Sequence, residues 1–164
     1  MIARLIATAG YIGYLKPAPG TWASALAIPL AWAIHGLASF PGLMLATLAL
    51  CAAGWWATKR MTAGQEHHDP SEIVIDEIVG MWIALWPLSL GMMLVGAPTW
   101  SFPWPGWVTA FIAFRLFDIT KPGPVGWADR RADALGVILD DVIAGIMAAI
   151  VVIVLAALSH MVLM

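Results

Sequence analysis

Apolar residues fill the chain in three long runs separated by short polar windows. Asp, Glu, Lys and Arg are absent from 17–58, 78–114 and 142–164, and all 18 of them fall within 1–16, 59–77 and 115–141. A helix crossing a bilayer takes about 20 residues at about 1.5 Å each. The first two runs therefore each predict a two-pass hairpin and the third a single pass, about five membrane-embedded helices in all. Ser39-Phe40-Pro41-Gly42 and the stretch from Gly96 to Gly106 are the expected reversals, because Pro and Gly end helices and form turns. Trp100, Trp104 and Trp107 mark the second as an interfacial segment. The fourth pass must run from about Pro103 to Ile119 and so carries Arg115 and Asp118 in its last turns. With this count every charged window lies on one side, and the excess of Lys and Arg there places that side and the N-terminus in the cytoplasm. The predicted fold is an all-α polytopic bundle forming a single domain over 1–164, without internal repeat or linker.

Composition narrows the function. The chain is 62% apolar and 11% charged, against about 45–50% and about 25% in soluble domains, which leaves too little charge to coat a water-exposed surface. A formal charge of -2 provides no basic excess for a phosphate backbone, so nucleic acid is excluded as a partner. The one cysteine, Cys51, cannot form an internal disulfide or a multi-thiolate metal site.

The acids are paired. Asp69-Pro70-Ser71-Glu72 reads as a helix start, with Asp69 as N-cap, Pro70 at the first helical position and Glu72 able to close a capping box. Asp76 and Glu77 follow just before the second apolar run, and Asp140 and Asp141 stand in the same relation to the third. Gly80 and Gly145 each come four residues after an acid, a spacing that lets two membrane helices approach closely and bring the carboxylates together. Carboxylates about 4 Å apart repel by about 4 kcal/mol at an effective dielectric of about 20. A divalent cation reverses that sign, and oxygen ligands near water suit magnesium. Asp76, Glu77, Asp140 and Asp141 are thus the expected metal ligands, although acids at helix N-termini also complement the helix dipole.

The bases lie nearby. Arg115 and Asp118 share a helical face, and Pro122 closes that helix after Lys121. Arg115, Lys121 and Arg130 fall on the side that holds the acids and could cradle a phosphate, Arg with its planar fork and Lys as a point charge. Arg115, deepest in an apolar helix, needs Asp118 or a substrate phosphate as partner. Lys16-Pro17-Ala18-Pro19-Gly20-Thr21 is a turn before the first pass, with Thr21 a candidate N-cap. It lacks the Gly-Lys-Ser/Thr of a P-loop.

YLKPAPGTWAS at 14–24, DPSEIVIDEIVGMWIAL at 69–85, FRLFDITKPGPVGWADRR at 114–131 and GVILDDVIAGI at 136–146 together resemble the bacterial phosphatidylglycerophosphatase A family, in the family's order and over most of the chain. The resemblance implies a magnesium-dependent lipid phosphatase of the bacterial inner membrane, converting phosphatidylglycerophosphate and water to phosphatidylglycerol and phosphate on the cytoplasmic face. It places the family's acidic signature on Asp69, Asp76, Glu77, Asp118, Asp129, Asp140 and Asp141, and its basic signature on Arg115, Lys121 and Arg130. Ala23 departs from a common glycine, and Asp133-Ala134 replaces a glycine pair before Gly136. Asp118 or Asp129 is the expected general base. Two rival functions are a CDP-alcohol-type head-group transferase, whose longer glycine-interleaved motif is missing, and a cation or proton transporter, which should carry ionisable groups at mid-span.

Overall fold

A computed structural model describes residues 1–64, 70–131 and 133–163. Every regular element among them is helical: α1 (Ile2–Ala7), a 3₁₀ turn at Ile12–Tyr14, α2 (Pro19–Met61), α3 (Ile75–Leu94), α4 (Trp104–Thr120), α5 (Pro124–Asp129) and α6 (Ala134–Leu163). α3 is the central rod. Its Ile78, Val79, Met81, Trp82, Ala84 and Leu85 are buried, and α2, α4 and α6 pack around it.

The 43 residues of α2 would form a rod of about 65 Å if straight, but the helix breaks at Ser39, where φ is 52° and ψ -160°. The two limbs then run in opposite directions along α3. On the first limb, Trp82 Nε1 donates to the Ala27 carbonyl at 2.9 Å, and His35 Nδ1 lies 2.7 Å from Ser89 Oγ. On the second, Trp86 Nε1 donates to Thr47 Oγ1 at 3.2 Å, and Gly54 faces Ile75. Pro41, just past the break, cannot supply an N–H to a continuous ladder. Each limb is about 30 Å long, the thickness of a bilayer core.

Among the described residues three helices, α2, α3 and α6 over Ala134–Met161, are long and apolar enough to cross a membrane, fewer than the five expected from the sequence. The difference has two physical sources. The limbs of α2 remain one element because the chain turns within it without a loop. α4 has only 17 residues, about 26 Å, and its final turns carry Arg115 and Asp118. Ile146, Ile150, Ile153, Val154 and Leu158 on α6 are exposed, giving an apolar outer face suited to lipid.

The second reversal is anchored rather than free. Gly96 takes a left-handed φ of 64°. Beyond it, the Trp100 ring packs over Gly36 and edge-on to Trp32, whose Nε1 donates to the Trp100 carbonyl at 3.0 Å. An apolar cavity of about 470 Å³ lies between the C-terminal halves of α3 and α6 and the start of α4. No Asp, Glu, Lys or Arg lines it among the described residues, although His160 does; the charged groups of the cleft gather at the other end of the bundle.

Candidate active site

α3 begins at Ile75, so Asp76 and Glu77 occupy its first turn, near its positive dipole end. This start is later than the sequence suggests. Residues 70–74 are held by tertiary contacts instead: Ile73 N–H closes a turn to the Pro70 carbonyl at 2.9 Å, and Val74 N–H donates to the Ala7 carbonyl at the end of α1, also at 2.9 Å. Glu72 lies in that turn, outside the helix, with its carbonyl against Gly13, where a Cβ would overlap it. Asp69 falls outside the described residues.

α6 begins at Ala134 and is capped by Asp133, whose Oδ1 accepts the Gly136 N–H at 2.9 Å. The departure at Asp133-Ala134 therefore supplies its own helix start. Asp140 and Asp141 lie nearly two turns into α6, yet they reach the level of Asp76 because α3 and α6 touch at Gly80 and Gly145. A Cβ on Gly145 would overlap the Gly80 carbonyl oxygen, and one on Gly80 would lie 2.5 Å from the Asp141 carbonyl oxygen. Only backbone against backbone allows this approach.

The contact brings one oxygen each of Asp76, Glu77 and Asp141 within 4.8 Å of one another. Asp76 and Asp141 are buried, and Glu77 is partly so. Asp76 Oδ1 also accepts its neighbour's N–H, from Glu77, at 3.0 Å. Asp140, although buried beside them, is differently engaged: its Oδ1 accepts the Asp141 N–H at 3.0 Å and its Oδ2 accepts from Lys121 Nζ at 2.9 Å. It stands outside the close trio.

Two cations face these acids across a cleft of about 250 Å³, whose wall includes Gly20, Ser71, Asp76, Glu77, Arg115, Asp118, Lys121, Asp140 and Asp141. Arg115 Nη1 donates to Asp118 Oδ2 at 2.6 Å, which fixes the guanidinium one turn from the end of α4. Lys121 Nζ is paired with both Asp129 and Asp140. Burial by itself would lower the Lys121 pKa, but the two carboxylates outweigh it and hold the ammonium above its ordinary range.

The other sequence candidates lie off the cleft wall. Asp129 ends α5 and reaches the site only through Lys121. Arg130 is exposed, its Nη1 standing near Gly126 on α5. Thr21 does not cap α2. The helix starts at Pro19 with Ala18 as N-cap, because proline at the first position has φ preset and needs no partner for an N–H. Gly20 is a site residue that its weak sequence signal, a Pro-Gly step, did not assign. A Cβ there would overlap Glu77 Oε1 and lie 3.3 Å from Arg115 Nη1.

The donor set fits a divalent cation. Glu77 Oε2 and Asp141 Oδ1 are buried without a hydrogen-bond partner among the described residues, an arrangement that costs about 1–3 kcal/mol for a neutral group and more for a charged one. Two charges no more than 4.8 Å apart, as in the trio, repel by at least about 3 kcal/mol at an effective dielectric of about 20. Hard oxygens with an open, water-reachable side match magnesium better than a softer ion.

Comparison with known proteins identifies the family. No solved structure matches the chain. A phosphatidylglycerophosphatase A from Haemophilus influenzae is 33% identical over 150 residues, covering 91% of this chain and 85% of the relative. A putative phosphatidylinositol-3-phosphatase from Bacteroides thetaiotaomicron is 36% identical over 149 residues, 87% of this chain and 86% of the relative. A phosphatidylglycerophosphatase A from Escherichia coli K12 is 31% identical over 150 residues, 85% and 76% of the two chains. The profile of the phosphatidylglycerophosphatase A family matches residues 5–156, nearly the whole chain including every acid and base of the cleft, and the chain belongs to that family of phosphatases.

Proposed function

We propose that this protein hydrolyses phosphatidylglycerophosphate to phosphatidylglycerol and inorganic phosphate with a bound magnesium ion. The observation that carries the reading is the trio of Asp76, Glu77 and Asp141, with unpartnered buried oxygens on the last two, facing Arg115 and Lys121 across one cleft. Asp76, Glu77 and Asp141 would hold the ion, with Asp140 beside them. When bound, such an ion polarises a phosphoryl oxygen and lowers the pKa of a water.

The chain's own groups do the rest. Arg115, oriented by Asp118, and Lys121, oriented by its two carboxylates, receive the phosphoryl oxygens and stabilise the charge that grows on them. Asp118 lines the cleft and keeps its second oxygen outside the Arg115 pair, so it is placed to take a proton from the attacking water. Cys51 lies outside the cleft, and water attacks the phosphorus directly.

The reading also includes a topology. The two limbs of α2, then α3, α4 and α6, make five passes through the inner membrane, with the cleft and the N-terminus on the cytoplasmic side. All Lys and Arg lie at that end. A lipid can then stay in the leaflet while its terminal phosphate enters the cleft.

Phosphate release from phosphatidylglycerophosphate in detergent, with magnesium or with chelator, tests the proposal. Asp141→Asn and Asp76→Asn should each lose activity by at least about a hundredfold, the order found when a transition-state contact is removed. Activity that survives chelation, or both substitutions, refutes it. The resemblance to a putative phosphatidylinositol-3-phosphatase makes phosphatidylinositol 3-phosphate the informative second substrate. Preferential cleavage of that lipid would reassign the head group and leave the chemistry in place.

A further inference from the structure

Asp129 carries the signature of a catalytic acid in the sequence, but its placement gives it another task. α5 is a short helix whose Val125 and Ala128 are buried, and whose Gly126 lies so close to the preceding turn that a Cβ would come within 2.5 Å of the Lys121 carbonyl oxygen. Two left-handed residues make that turn, Lys121 at φ 46° and Gly123 at φ 46°. Glycine adopts this conformation freely, whereas lysine does so at a cost. A lysine kept at such a C-cap needs a reason in its side chain. The ammonium supplies one: it is shared between Asp129, at the end of α5, and Asp140, on α6, and it lies on the cleft wall. A lysine has three N–H donors, so these two pairs leave one for a ligand.

We propose that Asp129 is a positioning residue that holds the Lys121 ammonium against Asp140, so that Lys121 and not Asp129 meets a phosphoryl group in the cleft. The inference rests on the phosphate-ester reading of the site. In it, Asp129 takes no proton from water. Asp140 serves as the inner anchor of the clamp and Asp129 as the outer one, and the turn at Lys121 to Gly123 lets a helix C-terminus offer its last side chain to two carboxylates at once.

The test uses the full-length protein in detergent micelles and compares wild type, Asp129→Asn and Asp129→Glu. Four quantities are read: the affinity for inorganic phosphate by calorimetry, the affinity for manganese by electron paramagnetic resonance, kcat and KM for phosphatidylglycerophosphate, and the pH profile of kcat. Asp129→Asn should weaken phosphate binding and raise KM by about tenfold, the order expected for one charge-assisted hydrogen bond. It should lower kcat by no more than about tenfold, with the manganese affinity unchanged and both limbs of the pH profile in place, and Asp129→Glu should recover most of the loss. A hundredfold fall in kcat with phosphate binding intact, or a pH limb that disappears in Asp129→Asn, would show Asp129 to be the base and overturn the proposal. Equal phosphate affinity in wild type and Asp129→Asn overturns it as well. Wild type that binds phosphate but does not cleave the lipid defeats the assigned substrate, while the phosphate comparison still decides the clamp.

Discussion

The contact between Gly80 and Gly145 sets the distance between the carboxylates of α3 and that of α6, and a single methyl group tests it. Gly80→Ala would place a Cβ 2.5 Å from both the Asp141 carbonyl oxygen and Phe114 Cε2, where ordinary contact begins at 3.4 Å. Neither neighbour can step aside easily, since one is helix backbone and the other is a fully buried ring. The two helices must therefore separate by about 0.9 Å, at a cost of about 1–3 kcal/mol for overpacking a close interior. Magnesium binds oxygen at about 2.0–2.1 Å and tolerates little distortion. The trio, whose oxygens lie within 4.8 Å of one another, would lose one of its ligands to the ion or hold the ion poorly. A misplacement of about 1 Å in a catalytic array costs about a hundredfold in rate. The assay is kcat/KM at several magnesium concentrations together with the melting midpoint in detergent. Gly80→Ala should raise the magnesium requirement and lower activity by about a hundredfold, with a modest loss of stability. Gly91→Ala is the control, because a Cβ there meets nothing within 4 Å. It should keep full activity and gain up to about 1 kcal/mol, alanine being the better helix former. If Gly80→Ala keeps the activity and metal requirement of Gly91→Ala, the carboxylates are not positioned by this contact.

Further outcomes follow from groups at the two ends of the bundle. The Lys121 pKa is raised by Asp129 and Asp140 against the opposing effect of burial, so the stability this lysine contributes is complete below its unfolded value of about 10.4 and is lost only as pH rises through the higher folded value. Lys121 should thus impose no step on a rate profile between about pH 6 and 9, and Lys121→Met should lower that profile without changing its shape. At the other end, Ser89→Ala leaves the buried Nδ1 of His35 without its 2.7 Å partner. A loss of about 1–3 kcal/mol in stability is expected, read as a lower melting midpoint with kcat unchanged; a fall in kcat at full stability would contradict the separation of this pair from the chemistry.

Local pattern carried the parts of this molecule that depend on neighbours in sequence. The break at Ser39 is written in Ser-Phe-Pro-Gly, and the extent of α4, from Trp104 to Thr120, follows from proline before it and Lys-Pro after it. The close approach at Gly80 and Gly145 is written in their spacing from the acids. What the pattern could not hold was decided by groups distant along the chain. Asp69-Pro70-Ser71-Glu72 has the residues of a helix start, but of these Pro70, Ser71 and Glu72 lie in a turn that contacts at Ala7 and Gly13 hold, and α3 waits until Ile75. Asp140 and Asp141 look equivalent as a pair. Their roles separate only because a left-handed turn delivers Lys121 to one of them. The same turn takes Asp129 out of the cleft, and Gly20 enters it through the packing of α2 on Glu77, which no spacing rule encodes.

The trio draws Asp76 and Glu77 from the third principal helix and Asp141 from the last. Folding of α1 to α4 alone therefore leaves the trio one carboxylate short until α6 docks. A cation bound to all three carboxylates would report that α6 has docked against Gly80. On the metal-dependent reading, a chain lacking α6 would be inactive, so completion of the bundle and the onset of activity would coincide.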